Sequence, residues 1–309
     1  MVVVWMILIA VGLGLAIFAS RRAVANASAL AFGLRIPPFL IGITLVAIGT
    51  DLPEIANSIA ASVSGNGDLN VGDSVGSAAT QLTLVLGIAP LAGGAFIAGS
   101  RRVAWVGALT AIALAIGAVL FSDGYLGRRD AAVLLAFWLA ANVIVWRATP
   151  PGSDPVLTVP GRNKYRHLAA ALGYLALVGA GATAAVLAFV ELSDILGVPQ
   201  YLIAFFVASI GTSLPELVVS VSALRQGARD LAVGDLFGAS LSDASLSIAA
   251  GPLIAPTAIT GSLAVRGSMV AFVAVALVTI LVVRTRRVDW KVGLTLLMLY
   301  GGFYAALLL

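Results

Sequence analysis

The sequence has no cysteine, which excludes disulfides and thiolate metal sites. It has a single histidine, His167. Charged residues are also scarce. They make up 10% of the 309 residues, whereas a soluble domain carries roughly 25%. Hydrophobic residues account for 61% of the chain. Lipid is therefore predicted to surround most of this protein.

Two classes of function lack their sequence signals. There is no Gly-x4-Gly-Lys-Ser/Thr string, so nothing indicates ATP binding. The formal charge is only +4, and the basic residues do not gather on one polar segment, so no nucleic-acid partner is predicted. We also predict no resident cofactor and no enzymatic activity.

Ten apolar runs of roughly membrane-spanning length follow one another along the chain. Such runs predict transmembrane helices, and hence an all-α integral membrane protein. The first run lacks the basic region of a signal peptide, so it is predicted to be a retained helix. The runs cover residues 2–20, 38–64, 69–94, 103–121, 131–145, 168–189, 201–224, 231–255, 270–283 and 293–308.

The basic residues are divided unequally between the two sides of the predicted membrane. The odd-numbered turns between spans hold 15 of the 18 lysines and arginines, and the even-numbered turns hold the remaining 3. Basic loops stay in the cytoplasm. The sequence thus predicts a multi-pass protein of the plasma membrane with both termini extracytoplasmic.

One polar segment divides the chain into two halves. Residues 149–167 contain several prolines and predict an extended cytoplasmic linker in which His167 is a solvated loop residue. The halves, residues 1–148 and 168–309, have five spans each, so the second enters the membrane from the opposite side. Two inverted five-helix repeats are typical of secondary transporters, whose sites lie near the membrane midplane.

A repeated motif stands inside the two halves. Residues 49–81 and 211–243 match at 14 of 33 positions without a gap, at a constant offset of 162. Both contain Gly-Thr-x-Leu-Pro-Glu, ending at Glu54 and Glu216. A repeat of this length that carries acids and helix breakers is the strongest signal in the sequence.

Six acids lie inside predicted spans, and no lysine or arginine accompanies them there. They are Asp51, Glu54, Asp73, Glu216, Asp235 and Asp243. A carboxylate at the membrane centre costs about 2.5–3.5 kcal/mol on the insertion scale. These groups must therefore be protonated, hydrated or bound to cations. For Asp73 and Asp235, which lie near span starts, a position at the membrane interface is a simpler alternative.

The prolines in the motif predict broken helices at the centre of each repeat. Pro53 and Pro215 cannot donate a backbone hydrogen bond, and each suits the first turn of a new half-helix. Carbonyls freed near Ala47–Thr50 and Ser209–Thr212, together with the glutamates, would form an oxygen cluster. Oxygen ligands suit Ca²⁺, Na⁺ or Mg²⁺.

The helices that follow the motif add polar side chains and glycines. Asp73, Ser77 and Gln81 are spaced by four residues and share one helix face. Ala239 and Asp243 stand at the positions that match Ser77 and Gln81. Gly72, Gly76, Gly234 and Gly238 form small-xxx-small patterns that predict close packing against the broken helices.

These strings resemble the two alpha repeats of the cation/calcium exchanger superfamily, and are nearest to its prokaryotic sodium/calcium exchangers. The resemblance implies that Glu54 and Glu216 bind a central Ca²⁺ and border Na⁺ sites. It implies ligand roles for Thr50, Thr212, Ser77, Gln81 and Asp243. Asp51 and Ser213, which stand between the threonines and Leu-Pro-Glu, complete the candidate metal-ligand set.

Several positions depart from the family pattern. Asp51 replaces a serine, Gln81 replaces an asparagine or aspartate, and Ala239 replaces a serine. Aspartates stand at 73 and 235 in place of asparagines, and the string around Gln81 resembles the proton/calcium branch. The resemblance therefore implies Ca²⁺ antiport by alternating access and leaves Na⁺ or H⁺ open as the counter-ion.

Three other functions remain alternatives from the residues alone. An intramembrane aspartyl protease would pair a Gly-x-Gly-Asp string with Tyr-Asp. Asn70 and Ala232 stand where the first glycine should be before Asp73 and Asp235, and no Tyr-Asp occurs. A passive cation channel is disfavoured because tightly binding buried acids slow ion release. A transporter of another divalent cation, such as Mg²⁺ or Mn²⁺, stays open. The sequence leaves the oligomeric state open, and a monomer is compatible with it.

Overall fold

The structure is a computed structural model, and it describes residues 2–149, 163–195 and 209–308. The central part of the predicted linker and the first part of the predicted span 201–224 lie outside these ranges. The described helices are α1 (Val2–Leu34), α2 (Pro38–Thr50), α3 (Leu52–Val63), α4 (Gly67–Gly93), α5 (Arg101–Leu120), α6 (Arg128–Ala148), α7 (Lys164–Ile195), α8 (Ser209–Thr212), α9 (Leu214–Arg225), α10 (Arg229–Ser242), α11 (Ile248–Ile254), α12 (Gly261–Thr285) and α13 (Trp290–Leu308).

The described helices account for part of the predicted span count. By length and composition, α1, α4, α5 with the turn after it, α6 and α12 could each cross a membrane, and the bent pair α2 and α3 forms a sixth candidate. Many large apolar side chains on these helices are exposed, for example Val3 and Val119. Such surfaces are stable in lipid. The count of ten spans stays a prediction.

Two predicted boundaries are wrong. The helix α1 does not end at Ser20 but continues through Arg21 and Arg22 to Leu34, because nothing in that segment breaks a helix and both arginines are exposed. The helix α7 begins at Lys164, so His167 lies in its first turn. His167 Nδ1 is 2.9 Å from Asn26 Oδ1 and is therefore not a solvated loop residue.

Two short antiparallel ribbons join turns that are far apart in the sequence. Strand β1 (Phe96–Ile97) pairs with β4 (Arg287–Val288). Strand β2 (Tyr125–Leu126) pairs with β3 (Thr257–Ala258). Each ribbon joins one turn of the first half to one turn of the second, so two separate pairs of turns hold the halves together.

The two halves also pack backbone to backbone in the core. A Cβ atom added at Gly42 of α2 would lie 2.5 Å from the carbonyl oxygen of Leu231, and one at Gly238 would lie 2.5 Å from Ile43 Cα. Gly234 makes a similar approach to Phe39. The predicted packing of Gly234 and Gly238 against the first broken helix is confirmed. Gly72 and Gly76 make no such approach to described residues.

Candidate cation site

Both motif helices are interrupted at the same position of the repeat. Asp51 separates α2 from α3 with φ −76° and ψ 0°, and the two helices are bent by 46°. Ser213 separates α8 from α9 with nearly the same backbone, φ −84° and ψ 5°. Pro53 and Pro215 lie at the start of the following helices. The predicted breaks therefore occur where the prolines place them.

Three carboxylates meet at these breaks. Asp51, Glu54 and Glu216 each offer an oxygen atom, and these atoms lie within 4.8 Å of one another. All three residues are fully buried. Two come from the first half of the chain and one from the second, so the group exists only because the halves converge.

The oxygen atoms of this group lack donors. In the part of the chain that the structure describes, neither carboxylate oxygen of Asp51, Glu54 or Glu216 has a hydrogen-bond partner. Burying one unpaired charge already costs several kcal/mol, and three like charges at this separation repel one another. A cation, or protons, must balance this group.

A fourth acid lies beside the group and has a partner. Gln81 Nε2 donates a hydrogen bond of 2.8 Å to Asp243 Oδ2. The two residues occupy matching positions of the repeat. Asp243 Oδ1 and Gln81 Oε1 have no described partner, and Asp243 interacts electrostatically with each of the three carboxylates. These two free oxygens could serve as further ligands.

Gln81 and Asp243 also begin π-helical segments, Gln81–Val85 and Asp243–Ser247. A third such segment, Gly42–Val46, precedes the first break. Single π-helical turns inside α-helices are frequent at functional sites. The sequence analysis did not identify these turns, since no residue type marks them.

The threonines of the motif reach across to the opposite repeat. Thr50 Oγ1 lies 3.4 Å from Asp235 Oδ1, and Thr212 Oγ1 lies 3.5 Å from Asp73 Oδ1. Thr50 matches Thr212, and Asp235 matches Asp73, so the two contacts are equivalent. Asp235 is fully buried within the protein.

Two polar residues that the sequence analysis missed support these aspartates. Asn57 Nδ2 donates to Asp73 Oδ2 over 2.6 Å, and Ser220 Oγ donates to Asp235 Oδ2 over 2.9 Å. Both lie on the helices after the breaks, about one turn beyond the glutamates. Their spacing from Glu54 and Glu216, three and four residues, was the available signal.

The remaining candidates lie around the group in different ways. Ser77 Oγ is 3.2 Å from Thr212 Oγ1, so the two hydroxyls are within hydrogen-bonding distance of each other. Ser213 is buried at the second break. Ala239, which matches Ser77, is buried and offers no hydroxyl. Ser240 next to it donates to the Ala78 carbonyl instead.

One part of the predicted oxygen cluster is wrong. The carbonyl of Ala47 accepts from the Asp51 amide over 2.9 Å and from Thr50 Oγ1 over 3.0 Å. It is therefore occupied. The carbonyls that the prolines leave without a helical donor are those of Gly49 and Gly211, four residues before Pro53 and Pro215.

Known proteins are similar to this chain over nearly its whole length. The profile of the family described as "Sodium/calcium exchanger protein" matches residues 4–147 and 167–309. The putative antiporter CaxA of Alkalimonas amylolytica is 31% identical over 308 residues, which cover 96% of each chain. The sodium/calcium exchanger MaX1 of Methanosarcina acetivorans is 27% identical over 351 residues, and 99% of each chain is covered.

The fold matches a solved membrane exchanger. The sodium–calcium exchanger NCX_Mj, soaked with Na⁺ and Ca²⁺, superimposes with a TM-score of 0.81 over 99% of both chains, at 23% sequence identity. With matches that span nearly its full length, this chain belongs to the sodium/calcium exchanger family.

Proposed function

We propose that the protein is a secondary antiporter that exchanges Ca²⁺ for Na⁺ across the plasma membrane by alternating access. The observation that carries this proposal is the group of three buried carboxylates, Asp51, Glu54 and Glu216, whose oxygens have no donor among the described residues. A divalent cation or several monovalent cations can neutralise it. The names of the relatives CaxA and MaX1 agree with antiport and with Na⁺/Ca²⁺ exchange.

The electrostatics of the group make exchange obligatory. The empty, ionised site would carry several buried negative charges, and each costs several kcal/mol to desolvate. The transporter therefore changes its facing direction only when cations are bound. Ca²⁺ moving one way must be replaced by other cations moving back, and no ATP is required.

We assign ligand roles by position in this site. Glu54 and Glu216 hold the Ca²⁺ between the two halves, with Asp51 as a third carboxylate. Gln81 and Asp243 supply one oxygen each at the side of the group. Hydroxyl or carbonyl oxygens of the motif and partner helices complete the Na⁺ sites, and they belong to Thr50, Thr212, Ser77 and Ser213.

The contacts between distant turns support the ten-span, inverted arrangement. Contacts recorded between turns join turns of equal parity. The ribbon β1–β4 joins the third and ninth turns, and β2–β3 joins the fourth and eighth. Asp68 accepts from the Thr260 hydroxyl over 2.7 Å, which joins the second and eighth turns. Turns of equal parity lie on the same side of the membrane when every predicted span crosses it, so these contacts agree with ten crossings.

H⁺ is the second candidate counter-ion, and one observation favours it. The site contains carboxylates at Asp51, Asp73 and Asp235, where the resemblance implies neutral residues in the family, and Ala239 offers no hydroxyl at the position that matches Ser77. Carboxylates bind protons, whereas a lost hydroxyl weakens a Na⁺ site.

The test is Ca²⁺ uptake into vesicles under an imposed Na⁺ or H⁺ gradient. The variants are Glu54→Gln and Glu216→Gln, and Glu191→Gln is the matched control because Glu191 is exposed on α7. We expect uptake driven by the Na⁺ gradient in the wild type and the control, and loss of uptake in both site variants. Uptake driven only by H⁺ would select the second candidate. Unchanged uptake in both site variants would refute the site assignment.

A further inference from the structure

A cavity of about 560 Å³ lies between α1, the end of α4 and α9, and none of the three carboxylates lines it. Its volume falls in the range of small-molecule pockets, roughly 300–1,000 Å³. It is lined by Ile17, Arg21, Ile88, Ala92, Leu217, Val218, Val221, Ser222, Arg225 and Gln226.

The lining changes from apolar to basic along the helices. On α1, Ile17 is followed one turn later by Arg21. On α9, Leu217, Val221 and Arg225 are spaced by four residues, so they share one face over about 12 Å. Both helices run towards the side that the basic residues predict to be cytoplasmic. The apolar walls therefore lie deeper in the membrane, and the arginines lie at the cytoplasmic rim.

The rim is positively charged and carries no acid. No carboxylate lines the cavity, and within residues 2–149, 163–195 and 209–308 the structure records no ion pair for Arg21 or Arg225. Arg225 Nε donates to the Ala92 carbonyl over 3.0 Å, which orients the guanidinium. Gln226 Nε2 donates to the Arg21 carbonyl over 3.4 Å, which ties α1 to the end of α9.

We propose that this cavity binds an anionic phospholipid of the cytoplasmic leaflet. Its phosphate lies between Arg21 and Arg225, and an acyl chain lies against Leu217, Val218 and Val221. Basic pockets between transmembrane helices on the cytoplasmic side bind anionic head groups in this way. A free phosphate ion would use the rim but leave the apolar walls without a ligand.

The lipid links α9, which carries Glu216 of the ion site, to α1, which carries none of the three carboxylates. Leu217 and Val218 directly follow Glu216, whereas Arg21 belongs to α1, which packs along α7. Ser222 in the cavity wall is 2.6 Å from Ser20 of α1, oxygen to oxygen. A bound lipid holds α1 against α9 at this point and thereby sets the rate of exchange. This effect on rate rests on the proposed function, but lipid binding itself does not.

The test measures phosphatidylglycerol that remains on the protein after delipidation in detergent, with phosphatidylcholine as competitor. The variants are the double change Arg21→Gln with Arg225→Gln, and Val221→Phe, which fills the apolar part without changing charge. The matched control is Arg284→Gln with Arg287→Gln, which removes two exposed arginines from another turn on the same predicted side. Gel filtration verifies that each variant is folded.

We expect the wild type and the control to retain phosphatidylglycerol in preference to phosphatidylcholine. Each arginine near an anionic head group contributes roughly fivefold, so the double variant should retain it at least about tenfold more weakly. Val221→Phe should lose it as well. Equal retention in all proteins, or loss in the control too, would overturn the proposal and indicate general surface attraction. Because retention is measured without ion transport, failure of the antiport proposal would leave this test intact.

Discussion

At the scale of single residues, Asp51 distinguishes this site from the family pattern. The resemblance to the exchanger family implies a serine at this position, whereas Asp51 brings a carboxylate oxygen within 4.8 Å of oxygen atoms of the two glutamates. The additional negative charge acts on a divalent cation twice as strongly as on a monovalent one. Asp51 should therefore favour Ca²⁺ over Na⁺.

Replacing Asp51 tests this role. We expect Asp51→Ser and Asp51→Asn to weaken Ca²⁺ binding by about tenfold or more, because a charge at this distance contributes several kcal/mol before screening. Na⁺ binding should weaken less. Isothermal titration of each ion into the purified protein measures both. Equal losses for the two ions would contradict a role in selectivity.

The hydrogen bond between Gln81 and Asp243 gives a second prediction at this scale. Gln81→Leu removes the amide that donates to Asp243 Oδ2, and it leaves this buried carboxylate oxygen unpaired. We expect the free energy of unfolding to fall by about 1–3 kcal/mol in the absence of ions, and Ca²⁺ to restore part of it. Thermal denaturation with and without Ca²⁺ checks this. A variant as stable as the wild type in both conditions would show that the bond is not formed.

At the scale of helices, α1 and α7 are the elements expected to move. They are 33 and 32 residues long, and their backbones are close at one point, where a Cβ atom at Gly181 would lie 2.7 Å from the Gly12 carbonyl oxygen. Glycines on both helices, at Gly12, Gly14, Gly179 and Gly181, would permit close sliding. The structure places close contact at Gly181, whereas an added Cβ at Gly14 meets nothing within 4 Å.

This difference predicts unequal effects of substitution. Gly181→Val should separate α1 from α7 and lower the maximal rate of Ca²⁺ uptake, with little change in the half-saturating Ca²⁺ concentration, because the site itself is untouched. Gly173→Val is the control, since a Cβ atom at Gly173 on the same helix meets nothing within 4 Å. Uptake kinetics in vesicles give both quantities. The sliding role would be contradicted if Gly181→Val changed only the half-saturating concentration.

The helix breaks show what the sequence could predict and what it could not. Pro53 and Pro215 located both breaks, because a missing N–H has a fixed structural consequence. The long run of α1 beyond Ser20 was not predicted, because exposed Arg21 and Arg22 are compatible with either a helix or a loop. The π-helical turns at Gln81 and Asp243 depend on packing between the two halves, which no local pattern reports.

The candidate site was predictable for the same kind of reason. Acids in apolar spans are costly, so the sequence alone selects Glu54, Glu216 and Asp243. Their partners were harder to identify. Asn57 and Ser220 look like ordinary polar residues on a helix, and only the convergence of the halves brings Asp73 and Asp235 to the threonines of the opposite repeat.

At the scale of the whole molecule, the inverted arrangement predicts the side on which each turn lies. The chain has no cysteine, so a single introduced cysteine can be labelled without background. Ser122→Cys, in the fourth turn, should react with a membrane-impermeant maleimide in intact cells. Thr285→Cys, in the ninth turn, should react only after permeabilisation. Both positions are exposed. Labelling of both from the same side would contradict ten spans.

The most direct measurement of the whole account is a crystal structure of the protein soaked with Ca²⁺, in which anomalous scattering locates the ion. We predict one Ca²⁺ between the two helix breaks, with oxygen atoms of Glu54 and Glu216 at about 2.3–2.6 Å from it. Glutamate side chains turned apart towards bulk water, or Ca²⁺ bound only elsewhere on the protein, would contradict the account.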